Sequence, residues 1–254
     1  MTAVLGNVIL YWGAAVVIVL AAAAWQADTH ELDTWTMYIA GLLGFGGALL
    51  LGGGFALLVA TGHTHEVSQG RSVVGALLGA ALGAWVFLKI RGAPSLSYAD
   101  AAAHAVALGY AVYRIGCFLN GCCFGTETDL PWAVTFSQNS EAFAAEVAAG
   151  LIAPDARHTL GVHPTQLYHA LLGIAAFFVL LQMKTDMPGK RFAAALMLYG
   201  VGRFVIEFFR GDAVPVFGPL DVNHIAALVM LVAGIWLWRF RVAFISVAGS
   251  KPSV

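Results

Sequence analysis

Apolar residues run along this chain in long unbroken blocks separated by short polar segments. Seven blocks stand out: Val4 to Trp25, Tyr38 to Thr61, Ser72 to Ile90, Ala101 to Asn120, Thr165 to Met183, Phe192 to Phe209 and His224 to Ile245. Each approaches or exceeds the roughly 20 residues that a helix needs to cross about 30 Å of hydrocarbon. A bilayer leaves no water to satisfy backbone groups, so the pattern predicts an all-α, polytopic membrane helix bundle of about seven transmembrane helices. The third and sixth blocks are the shortest and the fourth is only moderately apolar, so six or eight spans stay open. The first block is too long for a secretory h-region and has no basic residues before it, so it reads as a retained span.

The polar segment Gly121 to Pro164 is the longest between spans and is expected to form a small extracytoplasmic cap, with a short helix near Glu141 to Ala149. It is too short for an independent catalytic domain. The chain from 1 to 254 is therefore expected to be a single integral membrane domain.

Composition strengthens this reading. The chain is 60% hydrophobic and 11% charged, whereas an ordinary globular domain is about half apolar and about a quarter charged. A net charge of −1 gives no reason to expect nucleic acid as a partner. Lys89, Arg91, Lys184, Lys190, Arg191, Arg239, Arg241 and Lys251 fall in alternate loops or in the tail, which the positive-inside rule places in the cytoplasm. The N-terminus is then expected outside, together with the loops Gly62 to Arg71, Gly121 to Pro164 and Gly211 to Asn223. The first inner loop, Gln26 to Thr36, is acidic, which counts little in that rule.

Two glycine patterns bear on packing. Gly75, Gly79 and Gly83 form a small-residue ridge on the third span, suited either to close packing within the chain or to a homodimer face. The second span carries Gly41, Gly44, Gly46, Gly47, Gly52, Gly53 and Gly54, so it is expected to be bent, broken or pressed against the bundle.

The candidate chemistry lies inside the membrane. Arg114 in the fourth span and Arg203 in the sixth are flanked by apolar residues, and a central arginine costs about 2.5 to 3.5 kcal/mol on insertion scales, so each is a candidate functional group. Glu207 follows Arg203 by one helical turn, and Arg210 extends the same face at i, i+4 and i+7. One glutamate cannot neutralise this set. The anion abundant at this depth is a phospholipid phosphate, and the planar guanidinium binds two of its oxygens at once. A purely structural ion pair or a solute pathway remains the alternative. His163 and Gln166, at the start of the fifth span, are expected to project near each other at the outer mouth, and a capping role is the alternative for His163.

Four stretches carry a family resemblance. They are Arg114-Ile115-Gly116-Cys117-Phe118-Leu119-Asn120-Gly121, the turn Asp129-Leu130-Pro131-Trp132, the run His163-Pro164-Thr165-Gln166-Leu167-Tyr168, and Tyr199-Gly200-Val201-Gly202-Arg203 continuing to Arg210. In this order and spacing they resemble the prolipoprotein diacylglyceryl transferase family, strongly from about residue 110 to residue 212. The resemblance implies transfer of the diacylglyceryl group of phosphatidylglycerol to the lipobox cysteine of secreted lipoprotein precursors, in a bacterial cytoplasmic membrane. It implies that Arg114 and Arg203 are the two essential arginines, Gly125 a motif glycine, and Glu207 and Arg210 the polar partners of the second arginine; His163 is added as a candidate catalytic residue, and Asn120, Gly121, Gly125, Gln166, Tyr168, Glu207 and Arg210 are the candidates for substrate binding. Neither a cofactor nor a metal is expected.

The chain departs from the family pattern at defined places. Cys117 stands where asparagine is usual and Cys122 where glutamate is usual, while Arg71-Ser72-Val73 replaces a His-Gly-Gly element. Tyr11-Trp12-Gly13 exchanges an aromatic pair. These changes surround the acceptor thiol and spare the phosphate clamp, so a different acceptor for the same donor is one alternative, and a non-enzymatic lipid-binding or transport protein is another. His163, His63 and His65 are the candidate bases. All three cysteines, Cys117, Cys122 and Cys123, fall within seven positions. Small packing residues, a disulfide, and a metal-binding or acyl-carrying thiol all remain open for them, with His163 and His169 the candidate further ligands.

Overall fold

The computed structural model describes residues 2–60, 73–184, 187–211, 213 and 216–248. His63, His65 and Arg71, with the rest of the loop 62–71, lie outside these residues. The described elements are α1 (Thr2–Thr29), α2 (Thr34–Ala60), α3 (Val73–Ile90), α4 (Ser95–Asn120), α5 (Glu141–Ala148), α6 (Thr165–Gln182), α7 (Lys190–Glu207) and α8 (Val222–Ala248). The seven longer helices coincide with the apolar blocks to within a few residues, and α5 is the short helix expected in the cap. By length and composition, Thr34–Gly52, Ser95–Asn120, Thr165–Gln182 and Val222–Phe240 suffice to cross a bilayer, and Gly13–Thr29 and Leu78–Ile90 are shorter apolar stretches.

The chain packs as two units, residues 20–103 and residues 1–19 with 104–254. In the first, α2 and α3 form a close pair. The Asp33 carboxylate caps α2 by accepting the Thr36 amide at 3.0 Å, and the Tyr98 hydroxyl donates to the Asp33 carbonyl at 3.2 Å. Asp33 is held below the usual carboxylate range by the Thr36 hydroxyl and amide. Of the outcomes left open for α2, close packing is the one found: it is one continuous helix over Thr34–Ala60. Three of its glycines are turned toward α3: Gly44, Gly47 and Gly52 meet Ala80, Gly79 and Ala76, and a Cβ on Gly47 would collide with the Gly79 carbonyl. The Gly75, Gly79 and Gly83 ridge is therefore an intramolecular contact with α2, and close backbone approach offsets the propensity that glycine costs.

The second unit uses the same device at each helix crossing. Gly109 and Gly116 of α4 face Val19 and Tyr11 of α1, Gly173 of α6 faces Ala107 and Ala111 of α4, and Gly200 and Gly234 close the α7–α8 crossing. Large apolar residues point outward, with Leu171, Val205, Val229 and Val232 all more than half exposed, the arrangement expected where lipid is the solvent.

The cap, 121–164, has its own small core of Phe124, Phe136, Ala142 and Val162, joined by Phe118 from the end of α4. Single antiparallel bridges, Glu127 with Val162, Val134 with Val162 and Ser137 with His158, stitch it together. Ser140 caps α5 by accepting the Phe143 amide at 3.1 Å. The Leu130-Pro131-Trp132 turn forms as expected, closed by the Ala133 amide on the Leu130 carbonyl at 2.9 Å.

Candidate functional site

The site begins where α4 stops. Gly121 adopts φ +68°, its amide donates to the Phe118 carbonyl at 3.1 Å, and the Cys122 amide donates to the Cys117 carbonyl at 3.2 Å. This pair of bonds is the Schellman ending, for which a glycine avoids the Cβ clash of the left-handed turn. Gly121 therefore has a backbone job. It lies so close to Ser140 and Phe136 that a Cβ would overlap them, and its carbonyl accepts from Ala142 at the start of α5. Asn120 is the half-buried last residue of α4.

Beyond this turn the loop is pinned to the start of α6. The Thr165 hydroxyl donates to the Cys123 carbonyl at 2.7 Å, and the Gln166 amide donates to the Cys122 carbonyl at 2.7 Å. Gly125 then passes between two strands of chain: its amide donates to the His163 carbonyl at 3.0 Å, and it pairs with Arg210 in an antiparallel bridge. A side chain here would run into the His163 and Phe209 carbonyls. The His-Pro-Thr-Gln run thus acts as a clasp on the loop that follows Arg114. Gln166 faces inward, fully buried, instead of meeting His163 at the mouth. The reason is the buried Cys122 carbonyl, which needs a donor.

Arg114 is 2% exposed and stands over the rings of Tyr110 at 5.0 Å and Tyr113 at 5.6 Å. Its Nε and Nη1 have no hydrogen-bond partner among the described residues. Arg203, 3% exposed, sends Nη2 to Glu207 Oε2 at 3.4 Å, and its Nη1 likewise has no hydrogen-bond partner. Tyr110 of α4 lies edge-on to Tyr199 of α7, with ring centroids 5.2 Å apart, and to His169 of α6 at 6.0 Å. Both nitrogens of the fully buried His169 lack hydrogen-bond partners too.

Glu207 ends α7 and is the hub of a polar chain. Its Oε1 lies 4.0 Å from Arg210 Nη1 and accepts from Asn223 Nδ2 at 3.0 Å. Arg210 lies beyond the helix end, where its amide bonds the Glu207 carbonyl, so the expected i+7 position on one helical face is replaced by a turn that brings the guanidinium back. Asn223 Nδ2 also reaches Asp221 Oδ2 at 3.0 Å, and Asp221 caps α8 by accepting the His224 amide at 2.8 Å. Burial pushes Asp221 up, but the bonds from His224 and Asn223 outweigh it and hold this carboxyl below the usual range. The cluster therefore sets three guanidiniums, Arg114, Arg203 and Arg210, against Glu207. Asp221 is already engaged by His224.

His163 is half-buried, stacked edge-on against Phe209 with centroids 5.1 Å apart, and its Nδ1 lies 3.0 Å from the Tyr168 hydroxyl. That hydroxyl accepts from Trp132 Nε1 at 2.8 Å. Where that hydroxyl also donates to His163 Nδ1, the neutral ring carries its proton on Nε2. Tyr168 accordingly ties the cap turn to the clasp.

Sequence reasoning did not single out Tyr110, Tyr199, Asp221, Asn223 or His224. Tyr110 and Tyr199 sit one turn from Arg114 and Arg203, a spacing that was there to be read. The other three fall in a polar loop, where their convergence on Glu207 depends on how α8 packs against α7.

The cysteines are thiols, not a disulfide. Their Sγ atoms all lie within 4.8 Å of one another, with Cys117 buried and Cys122 and Cys123 half-buried. Hydrogen bonds from Cys117 and Cys122, helped by the fields of Arg210 and Arg114, hold the Cys123 thiol below its ordinary range.

With this geometry in place, comparison with known proteins is informative. The sequence profile described as prolipoprotein diacylglyceryl transferase matches residues 5–240. The chain is similar to the phosphatidylglycerol–prolipoprotein diacylglyceryl transferase of Clostridium tetani, 32% identical over 69% of this chain and 67% of that relative. It is similar to the protein of the same name from Ruegeria pomeroyi, 30% identical over 92% of this chain and 86% of that relative. The Legionella pneumophila protein is 34% identical over 66% of this chain and 62% of its own length.

Proposed function

The chain belongs to the prolipoprotein diacylglyceryl transferase family, and from that premise we propose that it transfers the diacylglyceryl group of phosphatidylglycerol to the lipobox cysteine of lipoprotein precursors. The observation that carries the proposal is a pair of buried arginines with donors to spare: Arg114 Nε and Nη1 and Arg203 Nη1 have no hydrogen-bond partner among the described residues. A buried donor without an acceptor costs about 1–3 kcal/mol, more when charged, so such a site is built for an acceptor that arrives. A lipid phosphodiester matches it in charge, in bidentate geometry and in depth.

In this reading Arg114 and Arg203 grip the phosphate, and Glu207 and Arg210 set the angle of Arg203. The acceptor thiolate attacks the glycerol carbon, the carbon–oxygen bond to the phosphate breaks, and glycerol phosphate leaves. Charge grows on the departing phosphate oxygen, and guanidiniums fixed in a dry site stabilise it without reorganising. His163 and Tyr168 hold the outer wall, and His163 Nε2 is positioned to exchange a proton with the acceptor. Asn120, Gly121, Gly125 and Gln166 shape the loop that carries Arg114. The protein works in the bacterial cytoplasmic membrane with its N-terminus outside, its cap extracytoplasmic and its C-terminus in the cytoplasm.

The test is reconstitution in phosphatidylglycerol vesicles with a fluorescent lipobox peptide. Thioether-linked diacylglyceryl peptide is expected, and it is expected to vanish in phosphatidylcholine vesicles. Peptide that stays unmodified while the lipids change mass would reject the acceptor and favour the second reading, the same donor with another acceptor. Cys117 and Cys122, at positions where the family has asparagine and glutamate, are the observation behind that alternative.

A further inference from the structure

The three cysteines are not explained by the phosphate clamp. The helix ending that brings Arg114 to the site also builds them into a cluster. In a Schellman turn the third residue from the helix end and the second residue past it come into contact, and here those residues are Cys117 and Cys122. Cys122 Sγ lies 3.7 Å from the Cys117 carbonyl. Cys123 follows in a second left-handed conformation, φ +58°, which a residue with a side chain uncommonly adopts. That turn delivers the third sulfur.

The resulting triangle has no side longer than 4.8 Å. A zinc–sulfur bond of about 2.3 Å requires sulfurs about 3.8–4.0 Å apart around one ion, so small side-chain rotations complete the geometry. Among the described residues no histidine or carboxylate joins the group. Three thiolates with Zn²⁺ carry a net charge of −1, which suits a neighbourhood of Arg114 and Arg210. Soft sulfur ligands select zinc and similar thiophilic cations over magnesium or calcium. Three protein ligands with the fourth position open is the arrangement of catalytic zinc, while structural sites close all four. Cys122 and Cys123 are half-buried, whereas Cys117 is buried.

We propose that Cys117, Cys122 and Cys123 bind one zinc ion whose free position takes the thiol of the acceptor cysteine. This rests on the transferase reading and revises the expectation that no metal is involved. A thiol bound to zinc loses its proton outright, here to water. The sulfur then forms its bond to the glycerol carbon as the carbon–oxygen bond breaks, and the electron pair leaves with glycerol phosphate. No oxidant or reductant is needed. The family's usual asparagine and glutamate are thereby replaced by a different means of activating the acceptor.

The test uses the full-length protein, reduced, in detergent. Cadmium titration, followed by the ultraviolet absorption of cadmium thiolate, is expected to saturate at one ion per chain. Cys122→Ser and Cys123→Ser, both in the loop beyond α4, are expected to weaken binding at least 100-fold while the melting temperature stays close to that of the wild type. With cobalt bound instead, adding a lipobox peptide is expected to shift the visible spectrum, and its Cys→Ser analogue to leave it unchanged. Removing metal with a chelator is expected to slow transfer at least tenfold without changing phosphatidylglycerol binding. Absence of saturable binding, unchanged binding in the serine variants, or a free-thiol count that rises on reduction overturns the zinc site. In each case transfer that persists without metal leaves the phosphate-clamp reading standing, whereas loss of lipid binding in Arg203→Lys bears on that reading alone.

Discussion

Replacing Arg114 separates a charge placed for a ligand from a charge placed for the fold. Arg114 lies 2% exposed above the Tyr110 and Tyr113 rings, with Nε and Nη1 unpartnered. Lysine keeps the charge but offers a point donor where the fork offers two parallel bonds. One charge-assisted hydrogen bond is worth about 1.5–3 kcal/mol, and weakened stacking on two rings adds about 0.5–1 kcal/mol. The expected loss in Arg114→Lys is about 2–4 kcal/mol of transition-state stabilisation, or about 30- to 1,000-fold in kcat/KM for phosphatidylglycerol. Arg114→Leu is expected to lose transfer altogether and yet melt at the same temperature or higher, because removing an unmatched buried charge relieves its desolvation. The assay is peptide transfer in phosphatidylglycerol vesicles, with thermal melting of the same preparations. A lysine variant within threefold of wild type would mean that charge alone suffices. A leucine variant that melts well below wild type would mean that the arginine serves the fold, and the clamp argument would fail.

Other perturbations have equally definite outcomes. Gly125→Ala forces a methyl against the His163 and Phe209 carbonyls; it is expected to abolish transfer and lower the melting temperature, whereas Gly150→Ala, with open space around it but φ +71°, is expected to cost stability only. Glu207→Gln leaves Arg203 and Arg210 without their carboxylate and is expected to cost about 3–5 kcal/mol, as broken buried pairs do, measured by denaturant unfolding in detergent. Asp221 has its carboxyl depressed in the folded protein. Its contribution is therefore present above the unfolded value near 3.8 and is lost as pH falls through the lower folded value. Asp221→Asn is expected to flatten the dependence of melting temperature on pH below about 4, and an unchanged acid profile would exclude the Asp221 network as its source.

The helices were legible because each apolar block is continuous and long. Lipid demands that whole surface, so no tertiary information is needed to find it. Continuity of α2 was not legible. Its seven glycines weaken the helix locally, and the close approach of Gly44, Gly47 and Gly52 to α3 offsets part of what they cost. Arg114 and Arg203 stood out because a charge in an apolar run is expensive wherever the run folds. The role of Gln166 was hidden because it depends on which carbonyl, that of Cys122, is left without a donor once the loop turns. The same holds for Asn223, whose partner Glu207 lies sixteen residues away and is reached only through the packing of α8 on α7.

By itself, then, the sequence determined a polytopic helical protein with two buried guanidiniums, because hydrophobic length and the cost of buried charge are local properties of a chain in lipid. Tertiary structure decided which donors were left unmatched, where Glu207 spends its charge, and that three thiols meet at one point. Those are sums over partners brought from α4, α6, α7 and the cap, and no single segment contains them.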